Sequence, residues 1–132
     1  MRNVRFDKII MLKFNSNLQV GGDLTKKVNA VAYSSNSKKL ALASFDKVVY
    51  LLDELGERRD RIPTKGADKV NTNYNLRAID FSPDGTIIAV AQSDGMILGY
   101  KIGADWGEKK AICSKIPTGA APTCMIWPRT SL

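Results

Sequence analysis

The feature that most constrains this chain is an internal repeat. VNAVAYSSNSKKLALASFDKVVYLLD, from Val28 to Asp53, aligns without a gap on LRAIDFSPDGTIIAVAQSDGMILGYK, from Leu76 to Lys101, at a separation of 48 residues. Ala30 falls on Ala78, Ser34 on Ser82, Ala41 on Ala89, Ala43 on Ala91 and Asp46 on Asp94. Most other positions exchange one apolar residue for another. A period of this size marks a supersecondary unit that stacks on copies of itself, because a single unit cannot bury its apolar surface alone. A third copy starts at Pro122, where PTCMIWP puts Trp127 at the place of Tyr33 and Phe81.

Each copy reads as strands separated by turns. Val28–Tyr33 and Leu76–Phe81 alternate apolar with polar or small residues and end at Ser34-Ser35-Asn36 and Ser82-Pro83-Asp84-Gly85, which favour turns. Leu40–Ala43 and Thr86–Ala91 are short runs of small and β-branched residues, suited to a strand packed on both faces. Phe45-Asp46-Lys47 and Ser93-Asp94-Gly95 supply hairpin turns, and Val48–Leu52 and Met96–Ile102 the third strands. More polar fourth strands follow at Arg59–Thr64 and Ala111–Ile116. Four antiparallel strands per repeat, with the outermost least apolar, are the arithmetic of a β-propeller blade. The expected class is therefore all-β, with about two and a half four-stranded blades: 28–64, 76–116 and the start of a third over 122–132. Lys8–Phe14 reads as a strand that closes the ring. With fewer than the four blades a closed propeller needs, the chain is expected to act with other chains or within a larger assembly.

Charge and composition exclude several functions. The chain has no histidine, which removes the usual general base, the commonest zinc ligand and the Ser-His and Cys-His pairings together. No catalytic, metal or cofactor site is expected. The longest apolar runs, such as Val48–Leu52, fall far short of the roughly 18 residues that a membrane-crossing helix requires. The N-terminal stretch MRNVRFDKIIMLKF has charges inside its apolar part, so it does not read as a signal peptide. Cys113 and Cys124 are then read as thiols in a reducing compartment, packed as small apolar side chains. The net charge of +7 is spread over doublets near turns, among them Lys38-Lys39, Arg58-Arg59 and Lys109-Lys110. It suits an acidic protein partner or a weak contact with an anionic membrane. Nucleic acid is not expected, because aromatic and basic residues do not alternate as a base-stacking ladder would need.

SFDKVVYLLD, a Ser-x-Asp turn leading into a Val-x-Leu-Leu-Asp strand, resembles the second half of a WD40 repeat. The family's Gly-His before the first strand is absent, and its strand-ending Trp is replaced by Leu52 and Tyr100. Asp46 and Asp94 are what remains of its hydrogen-bond network, as structural turn residues. A more specific resemblance covers Lys27 to Pro128. DKVVYLLDELGERRDRIPTK, AIDFSPDGTIIAVAQSDG and KIGADWGEKKAICSKI are similar to the N-terminal propeller of the intraflagellar transport 172 family. The GERRD and DWG segments lie in connecting regions, where unrelated WD repeats share few residues. The resemblance implies a large non-enzymatic scaffold subunit of the intraflagellar transport B complex, at the cilium or flagellum, its basal body and the cytoplasm. Its partners would be other subunits of that complex, including one with a calponin-homology domain. A WD adaptor of a vesicle coat or membrane surface is the other class considered.

Candidate partner-binding residues follow from the loops. The 65–75 connection is the longest between equivalent strands and carries Lys65, Lys69 and, at its exit, Tyr74. Trp106, in GADWGEK, either packs on the blade edge or is exposed as an anchor.

Overall fold

The computed structural model describes residues 27–67, 73–103, 105–120, 122 and 125–128. Eight strands run in order: β1 (Val28–Tyr33), β2 (Leu40–Ser44), β3 (Val48–Leu52), β4 (Arg58–Pro63), β5 (Leu76–Phe81), β6 (Ile87–Gln92), β7 (Met96–Lys101) and β8 (Ala111–Pro117). They form two antiparallel four-stranded sheets in sequence order, β1-β2-β3-β4 and β5-β6-β7-β8. Each strand expected in the two full copies is present, with its ends displaced by one residue or less. The Lys8–Phe14 strand lies outside the described residues. In the third copy, Pro122 and Met125–Pro128 are described and carry no strand. The Trp127 amide donates to Asp80 Oδ2 at 2.6 Å, so this segment is held against β5 by one carboxylate.

Burial follows the pattern expected of blades. All of β2 is buried, because strands pack on both of its edges and apolar groups on both of its faces. β4 is mostly exposed, as an outer strand should be. In the first sheet, Ala41 opposes Leu51 and Ala43 opposes Val49. These side chains join Ala32 and Ile62 on the face turned to the second sheet, where they meet Phe81, Ile88, Val90 and Leu98. The other face of the first sheet buries Tyr33, Leu40, Leu42, Tyr50 and Leu52 as a separate cluster. Burial of each such large side chain is worth about 1.5–3 kcal/mol, so the seam between the sheets is the main source of stability.

The turns repeat in atomic detail. Ser34 Oγ donates to Asn36 Oδ1 and accepts the Lys39 amide, while Asn36 Oδ1 accepts the Lys38 amide. At the same offset, Ser82 Oγ donates to Asp84 Oδ1 and accepts the Ile87 amide, while Asp84 Oδ1 accepts the Thr86 amide. Side chains of this length bond their own backbone two residues on, which closes the turn without help from neighbours.

Candidate interaction surface at the blade seam

One end of the seam is closed by the segments GERRD and DWG. Asp60 lies on β4 opposite Leu51, two residues from buried Ile62, and so faces the second sheet. Its Oδ2 accepts the Gly107 amide at 2.9 Å and a charge-assisted bond from Lys110 Nζ. Burial acts to raise the Asp60 pKa, but the bonds from Lys110 and Gly107 outweigh it and hold the carboxyl below its ordinary value. Trp106 sits half-buried beside this contact, with Lys39 Nζ 4.8 Å and Arg59 Cζ 5.9 Å from its ring centre. Both cations belong to the first blade, so the indole is held between blades by cation–π attraction as well as packing. Lys39 also donates to the Gly103 carbonyl at 3.5 Å, and its pKa is lowered, first by burial and then by nearby Lys110.

The loop that presents Trp106 is shaped by its glycines. Gly103 and Gly107 both have left-handed backbones, at φ of 75° and 81°. Glu108 folds over Gly103 so closely that a Cβ there would fall 1.9 Å from Oε2, and its Oε1 accepts the Asp105 amide. The start of β4 and the loop that carries Trp106 therefore form an interblade clasp. Asp60 was not among the candidates drawn from sequence, although sharing a strand face with Ile62 was a usable signal.

The other end of the seam is tied by the 65–75 connection. Gln92 Nε2 donates to the Lys65 carbonyl at 3.0 Å, the Ala67 amide to Asp94 Oδ2 at 2.7 Å, and the Asn75 amide to Ser93 Oγ at 2.8 Å. Asp94 also accepts the Met96 amide through Oδ1 at 3.3 Å, so it braces its own hairpin and the connection together. Its counterpart Asp46 instead accepts the Tyr50 hydroxyl at 2.6 Å, within one blade. Burial and that bond together raise the Tyr50 pKa.

The candidate partner residues fare differently. The Lys65 side chain is exposed at the edge of the seam, and Lys69 lies outside the described residues. Tyr74 is corrected: only 5% of it is exposed, and it belongs to the seam core. Its ring fills the space beside the connection, and its hydroxyl is satisfied by Thr64 Oγ1 at 2.9 Å, so it is a packing anchor and not a surface contact. Trp106 packs between blades while keeping part of its ring at the surface. Cys113 is also corrected, since it is exposed on β8; Cys124 lies outside the described residues. Among the described residues, no group of three or more Cys, Asp or Glu side chains is arranged to hold a metal ion.

Comparison with known proteins agrees with this geometry. The model of the WD domain, G-beta repeat, matches residues 15–53 and 69–100, more than half of the chain. The chain belongs to the WD40 family. Among curated proteins, this WD40 chain is 47% identical over 108 residues to the Intraflagellar transport protein 172 homolog of Homo sapiens, covering 80% of the chain. It is 42% identical over 123 residues to Intraflagellar transport protein 172 of Chlamydomonas reinhardtii, covering 91%. The chain spans only 6% and 7% of these two relatives. Among solved structures, Hsv2 of Kluyvelomyces marxianus superposes with a TM-score of 0.51 at 19% identity, over 61% of this chain and 26% of that one. At that identity the superposition supports the WD40 fold alone.

Proposed function

We propose that this chain is propeller sequence from a non-catalytic scaffold subunit of the intraflagellar transport B complex, needed for assembly of the cilium or flagellum through protein–protein contacts. The observation that carries the reading is the 47% identity over 108 residues to intraflagellar transport 172 proteins, far above what a shared repeat alone requires. It gains support from where the resemblance lies: GERRD, which runs into β4, and DWG are the segments that meet in the Asp60–Trp106 clasp. The protein would act at the cilium or flagellum, at its basal body and in the cytoplasm. Its partners would be other subunits of the complex, among them the one with a calponin-homology domain. Lys65 and Lys69 are the proposed contacts at one end of the ring, and Trp106 at the other.

The test is to disrupt the gene and restore the complete gene product with a fluorescent tag. The expected result is loss or shortening of cilia, rescue by the tagged protein, and tagged puncta along the axoneme. Normal cilia with the tag on Golgi or endosomal membranes would instead support a vesicle-coat adaptor. Within the ciliary reading, recovery of the calponin-homology subunit should fall as salt rises, and Lys65→Glu with Lys69→Glu should reduce it, most strongly at low salt. Unchanged recovery would move the contact toward Trp106.

A further inference from the structure

We propose that the outer flank of the blade seam is a docking groove for an extended acidic peptide carrying an apolar anchor residue. This inference rests on the groove alone and does not require the ciliary reading. A depression of about 730 Å3 lies between β4 and the β7–β8 hairpin, floored by Val48, Met96, Leu98 and Ile112. A second, of about 320 Å3, adjoins it toward the clasp. Pro63, Lys65 and Ile112 line both, so the two form one trough along the outer strands. The trough runs between β4, which lends Arg61, Ile62 and Pro63, and β8, which lends Ile112 and Lys115. Strands of six and seven residues at about 3.3 Å each give it the length of a short extended peptide. The apolar floor offers a place for one large side chain, as binding clefts generally do.

Its walls are built, not loose. Thr64 Oγ1 donates to the Lys47 carbonyl at 2.6 Å and meets the Tyr74 hydroxyl, while Gln92 holds the Lys65 carbonyl and Asp94 the Ala67 amide. Little ordering remains to oppose binding, because these bonds already fix the rim.

The charge on the rim selects the occupant. Lys47, Lys65 and Lys115 surround the larger depression, and Arg61 continues along the smaller one, where Lys110 is already paired with Asp60. The single carboxylate among the lining residues, Asp46, is engaged by the Tyr50 hydroxyl. Acidic side chains on either side of an anchor would meet these cations in a partly desolvated setting, where charge pairing guides both encounter and register. The concave shape does not match a flat bilayer. Its aromatic rings, Tyr74 and Tyr100, are 5% and 3% exposed, so neither presents a face for stacked bases.

The experiment measures fluorescence anisotropy of a labelled octapeptide, Glu and Asp around a central Phe, titrated with the complete gene product. Saturable binding that weakens as salt rises is expected. Lys47→Glu, Lys65→Glu and Lys115→Glu together should weaken it by about tenfold or more. Replacing the peptide's Phe with Ser should weaken it by about tenfold as well, the scale of burying one large apolar side chain. An unchanged thermal melt of the triple variant confirms that the fold is intact; a shifted melt transfers the test to the Phe-to-Ser peptide arm. Absence of binding, undiminished binding by a folded triple variant, or equal binding of the Ser peptide would each overturn the proposal. Displacement of the peptide by phosphatidylserine vesicles but not by excess unlabelled peptide would overturn it in favour of a lipid surface.

Discussion

The two blades place an aspartate at the same point of the same hairpin and use it differently. In the first blade Asp46 turns inward to the hydroxyl of Tyr50. In the second, the residue equivalent to Tyr50 is Leu98, which offers no donor, and Asp94 reaches outward to the Ala67 amide of the preceding connection. One blade spends its carboxylate on internal order and the other on its attachment to a neighbour. The left-handed turn positions differ in the same paired way. Where the second blade has Gly85 and Gly95, at φ of 74° and 83°, the first has Ser37 and Lys47, at 59° and 67°. The first blade thus carries strain that its copy avoids. A repeat conserves the backbone plan, while the side chains that complete it are chosen by what each copy touches.

The largest effect on this comparison should come from cutting the clasp that joins the blades. Asp60→Ala leaves the Gly107 amide without its acceptor and the partly buried Lys110 ammonium with the Glu108 carbonyl but no counter-charge, at a cost of about 2–3 kcal/mol. Hydrogen exchange in residues 105–110 of the complete gene product should quicken, with Asp60→Asn falling between the two. Exchange equal to that of the unmodified protein would show that packing of Trp106 holds this end of the seam without the carboxylate.

Separating the two aspartates comes next. Asp94→Ala should destabilise by about 1–2 kcal/mol and speed exchange of the Ala67 amide, whereas Asp46→Ala should loosen the first hairpin and leave Ala67 protected. If both variants expose Ala67 equally, the division of labour is wrong.

Turn strain predicts opposite signs at equivalent sites. Ser37→Gly should stabilise the first blade by up to about 1 kcal/mol, and Gly85→Ala should cost the second about as much. At Gly85 no neighbouring atom lies within 4 Å of an added Cβ, so any cost there reports backbone conformation alone. Thermal melts of the paired variants decide it, and shifts of the same sign would remove strain as the difference between blades.

The smallest effect is a dependence on pH from a turn that carries a titratable side chain in one blade and not in the other. Bonds from the Ser82 hydroxyl and from the Thr86 amide and hydroxyl hold Asp84 down to about 2, from an ordinary value of 3.8. A lowered carboxyl contributes stability that is present above its ordinary value and is lost as pH falls toward the folded one. Melting temperature should therefore decline between about pH 4 and 2, and Asp84→Asn should flatten part of that decline. The first blade has Asn36 at this place, with the same Ser34 and Lys38 bonds and no charge to titrate. An identical pH profile for the Asn variant would show that Asp84 makes its turn as well when protonated.

What could be read from sequence follows from the range of each interaction. Strands and turns are local: alternation with a period of two and Ser-x-Asn or Ser-x-Asp turns lie within a few residues, so the eight strands were placed to within a residue. The repeat extended that reading to the blade, because two copies of one pattern must pack alike. Burial of a side chain on a connection is not local. Tyr74 looked like a surface residue because the sequence around it is polar, yet the ring is drawn into a seam formed by strands from both blades. Asp60 carries no local sign of its role as acceptor, because its partners Gly107 and Lys110 stand 47 and 50 residues away. The sequence by itself determined the blade and its turns, through contacts between near neighbours. Only the tertiary structure decided which loop charges and aromatics face the seam, because that depends on how one sheet is laid against the next, and no short-range pattern records it.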